Sequence, residues 1–285
     1  KETAVAQYLK GASRATGVYS HARSLIEALR KINEKSPDAP QVEKELSNYI
    51  EERLKINSVV QEFLIMDKYG RIVACTNEKE VGLDKSQDPY FTGAMEKDFF
   101  IKDIYRSKMS GLVGFVCSEK VSDLKTNETL GVFAERLNLV LLNEILGDRT
   151  GLGNTGENYL VNKDGYMVTE SRCMKDAILN QKVDTEPIKV FNTTGKNMAG
   201  TYRDYRGNLV LGASSGEILK KEYPYLGWVL MSEIDEGEAF RPVVRLRNAM
   251  ILMIIVMVAL VALIAIGISE SIARPIVQLA GTAKK

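Results

Sequence analysis

Residues 62–76 read EFLIMDKYGRIVACT, and residues 158–171 read NYLVNKDGYMVTES. In both stretches an apolar run is followed by a short polar turn that contains glycine, and then by a second apolar run. This pattern is typical of two antiparallel strands joined by a tight turn. The stretches align without a gap, because Leu64 corresponds to Tyr159 and the other matched positions keep the same spacing of 95 residues. The sequence therefore contains an internal duplication.

Further stretches have the composition of strands, and several of them are separated by turns that contain glycine. These stretches are residues 112–121, 129–137, 199–205, 209–214 and 228–234. Together with the duplicated pair they give each half of the chain its own small antiparallel sheet. We therefore predict an α+β fold with two tandem sheet modules, each with helices on one side.

The N-terminal region is predicted to be helical. Apolar or aromatic residues recur every three or four positions over residues 5–29, which indicates one long helix with a narrow stripe. The stripe consists of Val5, Tyr8, Ala12, Ala15, Tyr19, Ala22, Ile26 and Leu29. It could pack within its own domain or against a second copy of the chain. Prolines at positions 37 and 40 then break the helix, and a second amphipathic helix is expected over residues 42–54.

Residues 249–268, AMILMIIVMVALVALIAIGI, are twenty residues without a charged side chain. A helix of this length spans about 30 Å, which is the thickness of the hydrocarbon layer of a membrane. We therefore predict one transmembrane helix. Basic residues lie on both sides of it, so the charge distribution alone does not decide its orientation.

The composition excludes several classes of function. The formal net charge is +1, from 38 Lys+Arg and 37 Asp+Glu, so we expect no nucleic-acid partner. Cys75, Cys117 and Cys173 are far apart in the sequence, and His21 is the only histidine. The sequence therefore predicts no metal site, no cofactor and no disulfide framework. Because no nucleophile, base and orienting group can be assembled, we expect no catalytic residues in this chain and no enzyme activity of its own.

Several segments together resemble a double Cache (dCache) sensor domain, the extracellular or periplasmic ligand-binding region of prokaryotic chemoreceptors and sensor histidine kinases. The segments are DPYF at residues 88–91, FIKDIY at 100–105, GFVCSEKVSD at 114–123, GVFAERLNL at 131–139, GLGNTGENYLVNKDGYMV at 151–168, GTYRDYRGNLVLGA at 200–213 and GWVLMSEIDEGEAFRPV at 227–243. In addition, SIARPIVQL at residues 271–279 is similar to the start of a HAMP domain.

The resemblance implies two PAS-like (Cache) modules between an N-terminal helical region and the membrane. The expected boundaries are N-terminal helices over residues 1–57, a membrane-distal module over 58–147, a membrane-proximal module over 148–246, a transmembrane helix over 249–268 and the start of a HAMP-like region over 269–285. It also implies a protein of the cell membrane, with the sensor region outside or in the periplasm and the C-terminal side in the cytoplasm.

The function implied by the resemblance is that of a transmembrane receptor. A small molecule would bind in the distal module, and the signal would pass through the membrane helix to a cytoplasmic output module. A histidine kinase is the leading interpretation of that output, and a chemotaxis receptor is the alternative. A homodimer joined along the first helix is expected, because HAMP-type outputs work as paired helices. A membrane-anchored solute-binding or adhesion module without signalling output is a further alternative.

The residues that match the ligand-binding positions of the family are Asp88, Tyr90, Phe91, Tyr105 and Glu135. The sequence departs from the amino-acid-binding version, because Asp88 stands about where an arginine that holds the ligand's carboxylate is expected. If Asp88 and Glu135 face one pocket, they favour a cationic ligand such as an amine. Alternatively, Asp88 caps the helix that begins near Pro89, and Glu135 pairs with a neighbouring basic residue.

Overall fold

The computed structural model describes residues 1–274, 276 and 277. Residues 1–235 form one compact unit, and the residues from 236 onward form a second.

The first unit begins with three helices and not with the single long helix expected over residues 5–29. These are α1 (Glu2–Ser20), α2 (Arg23–Asn33) and α3 (Ala39–Lys55). The first break follows Ser20, whose hydroxyl donates to the carbonyl of Gly17, and Ala22 takes an extended backbone conformation. The expectation of one continuous helix over residues 5–29 is therefore wrong.

A five-stranded antiparallel sheet follows the helices. Its strands are β1 (Val60–Asp67), β2 (Ile72–Cys75), β3 (Phe99–Arg106), β4 (Val113–Ser122) and β5 (Thr129–Leu137), in the order β2-β1-β5-β4-β3. Helix α4 (Pro89–Lys97) packs on the sheet face opposite the one that faces α1, α2 and α3. In the β1–β2 turn Gly70 has φ +88°, and a Cβ at that position would lie 2.6 Å from the backbone of Ser86. The turn therefore requires glycine.

Helix α1 packs inside the unit. Val5, Leu9 and Ala12 are buried against the first sheet, whereas Ala15, expected in the same stripe, is exposed. Val5 and Ala12 are therefore covered within the chain and are not free to join a second copy. The homodimer itself stays a prediction.

The second sheet has four antiparallel strands. They are β6 (Glu157–Val161), β7 (Ala199–Arg203), β8 (Leu209–Ser215) and β9 (Val229–Asp235), in the order β6-β9-β8-β7. Helices α5 (Val140–Gly147), α6 (Glu186–Thr194) and α7 (Glu217–Glu222) accompany them. The second strand expected within residues 158–171 is reduced to an isolated bridge between Val161 and Met167.

The two sheets contact each other through β3. The indole Nε1 of Trp228 donates to Asp103 Oδ1 at 2.6 Å, and the ring of Tyr225 stacks on Phe100 with centroids 4.7 Å apart. Glu2 at the start of α1 accepts hydrogen bonds from the backbone N–H groups of Ile218 and Leu219 in α7. Helix α1 therefore contacts both halves of the unit.

The second unit consists of α8 (Glu236–Ala239) and α9 (Arg241–Ile268), followed by a π-helical turn (Ser269–Ala273). Helix α9 has 28 residues, none of them buried, and is long and apolar enough to cross a membrane. It begins at Arg241, eight residues before the apolar stretch that was expected to form the span. The HAMP-like start expected over residues 269–285 falls mostly on Pro275 and residues 278–285, which lie outside the described residues. The α+β architecture with two antiparallel sheets and an apolar C-terminal helix is confirmed.

Candidate functional site

A cluster of charged and aromatic side chains lies on the face of the first sheet that α4 covers. Side chains alternate between the two faces of a strand, so Val132, Ala134 and Arg136 of β5 point towards α4. Arg136 is the Cα partner of Glu62 on β1, which places both side chains on this face. We call the set Glu62, Asp88, Tyr90, Lys102, Tyr105 and Arg136 the distal site.

A β-bulge brings two further side chains into the distal site. The register of β3 against β4 shifts between Lys102 and Tyr105, an interval that would otherwise put the two residues on opposite faces. The nitrogen Lys102 Nζ lies 4.1 Å from the centre of the Tyr105 ring, which shows that the two side chains share one face. The bulge also turns Asp103 towards Trp228 of the second sheet.

Arg136 is almost fully buried, with 2% of its surface exposed, and it is paired on both sides. Its Nε donates to Glu62 Oε2 at 2.9 Å, and its Nη1 donates to the Tyr105 hydroxyl at 2.5 Å. Burial raises the pKa of Tyr105 to about 12, against the opposing effect of Arg136. Tyr105 therefore stays protonated at physiological pH and remains a hydrogen-bonding hydroxyl.

Lys102 forms the second ion pair of the distal site. Its Nζ donates to Asp88 Oδ1 at 2.7 Å and also lies 5.1 Å from the centre of the Tyr90 ring. Asp88 stands at the N-cap position of α4, but its side chain makes no capping hydrogen bond to the helix among the described residues. Asp88 therefore occupies the N-cap position that this alternative predicted, but its carboxylate pairs with Lys102 instead of capping the helix.

Tyr90 is held rigidly, but its hydroxyl has no hydrogen-bond partner among the described residues. The residue is 1% exposed, and Ser118 Oγ donates to its backbone carbonyl at 2.6 Å. Burial raises the pKa of Tyr90 well above the ordinary value of a tyrosine, so the hydroxyl keeps its proton. An unpaired polar group in a buried position costs stability, so the Tyr90 hydroxyl is a donor that a bound molecule could satisfy.

Among the residues predicted from the sequence, the structure brings Asp88, Tyr90 and Tyr105 together and separates Glu135 from them. Phe91 is buried in the apolar cluster beside Tyr90. Glu135 precedes Arg136 on β5 and therefore points to the opposite face, where its Oε1 accepts from the Thr16 hydroxyl at 2.6 Å. The idea that Asp88 and Glu135 face one pocket is wrong. The alternative in which Glu135 pairs with a basic residue is also not what the structure shows.

The sequence reasoning missed Glu62, Lys102 and Arg136. Strand alternation gave a usable signal for Arg136, since Glu135 and Arg136 cannot share a face of β5. For Lys102 and Glu62 the signal is weak, because their placement depends on the bulge in β3 and on the register between β1 and β5.

A cleft of about 350 Å³ lies next to the distal site, and Glu62 is the residue of the site that lines it. Glu62 lies in its wall, together with Gln61, Thr76 and residues 109, 110 and 112 of the β3–β4 turn. Lys102 and Asp88 keep 20% and 22% of their side chains exposed, so the other ion pair is also in contact with solvent. Among the described residues no group of three or more His, Cys, Asp or Glu side chains could hold a metal ion.

Comparison with known proteins gives structural matches only. No protein-family model matches the sequence, and no curated protein matches it significantly. The sensor domain of the histidine kinase DctB from V. cholerae is similar, with a TM-score of 0.59 and 12% identity over 82% of this chain and 92% of that chain.

Two ligand-binding domains of chemoreceptors are also similar. That of Campylobacter jejuni Tlp3, in complex with 4-methylisoleucine, has a TM-score of 0.55 and 13% identity over 83% of this chain and 86% of its own. That of Pseudomonas fluorescens CtaA, in complex with L-leucine, has a TM-score of 0.52 and 15% identity over 83% and 90%. All three are sensor or ligand-binding domains rather than catalytic ones.

These likenesses, together with the two tandem sheets, show that the chain has the double Cache fold of receptor sensor domains.

Proposed function

We propose that this chain is the extracellular or periplasmic sensor region of a transmembrane receptor, and that it binds a small molecule at the distal site. The observation that carries the proposal is the unpartnered hydroxyl of Tyr90, which lies buried next to the Lys102–Asp88 ion pair. A buried ion pair is a poor way to gain stability, so the buried Arg136–Glu62 pair, together with the partly exposed Lys102–Asp88 pair and an unsatisfied hydroxyl, favours a binding role over a structural one.

The ligand is proposed to be a small polar molecule. The ligand-binding domains of CtaA and Tlp3, which have the same fold, are in complex with L-leucine and 4-methylisoleucine. The amine expected from Asp88 and Glu135 is not part of the proposal, because those two carboxylates lie on opposite faces of the first sheet.

Helix α9 is proposed to cross the membrane and to carry the signal to a cytoplasmic output. Ligand binding can bias signalling only by the difference in affinity between the two signalling states. We propose a histidine kinase as the output, with a chemotaxis receptor as the alternative, since the fold occurs in sensors of both types.

The test is a binding screen on the whole chain in lipid nanodiscs. Calorimetry with amino acids, organic acids and amines should give at least one ligand whose affinity falls more than tenfold in Arg136→Gln. Arg106→Gln, which changes an exposed arginine at the end of β3, is the matched control and should leave the affinity unchanged. A screen without any binder, or a binder insensitive to Arg136→Gln, would refute binding at the distal site.

A further inference from the structure

A pocket of about 170 Å³ lies between the helices α1, α2 and α3 and the first sheet, on the sheet face opposite the distal site. Its floor is apolar and buried, and it consists mainly of Leu25, Ala28, Leu46, Ile50, Ile65 and Phe133. Its rim contains three exposed residues, which are Ser24, Glu45 and Tyr49. We call this space the inner pocket.

The inner pocket lies where the helical layer is interrupted. Helix α1 ends at Ser20 and Ala22 takes an extended backbone conformation, and both Tyr19 and Ala22 line the pocket at this break. Further along the same side, Ala28 presents only a methyl group to the pocket and leaves the space open. A gap in a core costs stability, because the side chains around it lose packing contacts. A molecule that restores those contacts is therefore favoured in the inner pocket.

The size and the walls of the inner pocket suit one aromatic ring. An apolar cavity of about 150 Å³ stays dry and binds a molecule of the size of benzene. The rings of Tyr19 and Phe133 both line the pocket and stack on each other with centroids 5.1 Å apart. Aromatic rings gain additional stabilisation from packing against one another, so these walls favour a further ring.

The polar groups of the inner pocket lie at its rim and already have partners. Glu45 is the one charged residue among the described residues that line the pocket, and its Oε1 accepts from Gln41 Nε2 at 2.9 Å. The guanidinium group of Arg53 lies 5.1 Å from the centre of the Tyr49 ring. A charged ligand would lose its hydration on the apolar floor without gaining a partner there. The lining therefore favours an uncharged molecule.

We propose that the inner pocket is a second ligand site, which takes a small uncharged molecule with an apolar body of the size of one aromatic ring. The inference goes beyond the proposed function, because it depends neither on the distal site nor on the ligand bound there. Ile65 and Phe133 face each other on β1 and β5, the two strands that carry Glu62 and Arg136 on the opposite face. An occupant of the inner pocket therefore packs against strands that support the distal site.

The experiment measures the binding of p-cresol to the whole chain in lipid nanodiscs by methyl NMR. Empty nanodiscs of the same lipid measure how much probe enters the bilayer, and so give its free concentration. We expect saturable shifts of the methyl signals of Leu46, Ile50 and Ile65, and nuclear Overhauser effects between these methyl groups and the ring protons of p-cresol. Because this measurement uses the wild type, it does not depend on the folding of any variant.

Two charged probes of similar size test the class of ligand. Benzoate and benzylammonium each carry one ring, but the first is an anion and the second is a cation. We expect both to bind to the inner pocket at least tenfold more weakly than p-cresol, because neither charge finds a partner on the apolar floor.

A substitution at Ala28 tests the place of binding. Ala28→Leu puts a longer side chain into the inner pocket, so we expect the affinity for p-cresol to fall at least tenfold. The matched control is Ala15→Leu, the same change at an exposed position of α1, which should keep the affinity of the wild type.

Three results overturn the inference: no saturable shifts of the pocket methyl signals, an affinity for p-cresol that is unchanged in Ala28→Leu, or a charged probe that binds as tightly as p-cresol. Arg136→Gln should leave the affinity for p-cresol unchanged. If that affinity falls tenfold, the probe binds at the distal site, and the inference fails while the proposed function stands. If no ligand in the wider screen depends on Arg136 but p-cresol binds as expected, the proposed function fails and the inner pocket remains a ligand site.

Discussion

Glu157 on β6 lies directly opposite Glu233 on β9, and both residues are only 2% exposed. At the corresponding place in the first sheet, 95 residues earlier, Glu62 lies opposite Arg136 and forms an ion pair with it. The two sheets thus share a buried glutamate at the same position of the duplicated pattern, but they differ in the residue across the ladder. One sheet balances the charge with arginine, and the other leaves two acids side by side.

The acidic pair is stable only if one of its members holds a proton. Glu157 accepts from the hydroxyls of Tyr205 and Ser171 and from the backbone N–H of Arg172. Glu233 accepts from the Tyr202 hydroxyl at 2.9 Å, while its other oxygen has no hydrogen-bond partner among the described residues. Burial raises the pKa of Glu233 from 4.5 to about 7, and Asp204 and Glu157 add to the rise. Glu233 is therefore the member that holds the proton.

We expect Glu233→Gln to weaken the dependence of stability on pH. Because the pKa of Glu233 is raised on folding, its contribution is complete below about pH 4.5 and is lost as the pH rises through about 7. The shift corresponds to roughly 3 kcal/mol of unfolding free energy. The difference in unfolding free energy between pH 5 and pH 8 is measured by urea unfolding, followed by the fluorescence of Trp228.

Controls for this prediction are available in the same chain. Glu135→Gln should also weaken the dependence of unfolding free energy on pH, because burial raises the pKa of Glu135 to about 7 in the first sheet. Glu170→Gln changes an exposed carboxylate and should leave the profile unchanged. If Glu233→Gln keeps the full difference in stability between pH 5 and pH 8, the assignment of the proton to Glu233 is wrong.

Thr16→Val should destabilise the first unit most strongly above neutral pH. The Thr16 hydroxyl is the hydrogen-bond donor to Glu135 Oε1, at 2.6 Å in the buried contact between α1 and β5. Once Glu135 is ionised, valine leaves its carboxylate without that donor, at a cost of about 1–3 kcal/mol. Urea unfolding at pH 8 and pH 5 should show the larger loss at pH 8. Thr3→Val on the exposed side of α1 is the control, and an equal loss in both variants would contradict the prediction.

The strand pairs were predictable from the sequence because turn chemistry and apolar alternation act locally. The β1–β2 hairpin lies within residues 62–76 apart from the first two residues of β1, and its turn depends on Gly70. The break after Ser20 was not predictable from the apolar stripe, because the stripe continues through it with unchanged spacing. It lies in the backbone conformation of His21 and Ala22, which apolar periodicity does not report.

The distal site was predicted only in part, and the reason is the geometry of strands. Asp88, Tyr90 and Tyr105 lie in or near segments that carry the resemblance, but the alternation of β5 decides that Arg136, and not Glu135, shares their face. Lys102 joins them through a bulge whose position no residue type marks. A site that depends on register across three strands is not encoded in any one segment.

Trp228→Phe should weaken the contact between the two sheets. The indole N–H donates to Asp103 Oδ1, and burial raises the pKa of this carboxyl. Phenylalanine fills most of the space but cannot donate, so we expect a loss of about 2 kcal/mol in unfolding free energy. Circular dichroism during urea unfolding measures it, since the only tryptophan is removed. Tyr69→Phe, at an exposed ring, serves as the control, and equal stability of the two variants would contradict the role of the indole N–H.

Cys173 should report which side of the membrane the first unit occupies. It is the exposed cysteine of the three, whereas Cys75 and Cys117 are buried, and burial raises the pKa of Cys75 to about 12 and that of Cys117 well above its ordinary range. Burial also raises the pKa of Cys173, but its thiol is the one that a reagent can reach, so only Cys173 should react while the chain is folded. We expect a membrane-impermeant maleimide to label intact spheroplasts once per chain and to label none of the Cys173→Ala variant. Labelling that appears only after the membrane is permeabilised would place the unit in the cytoplasm and refute the proposed receptor topology.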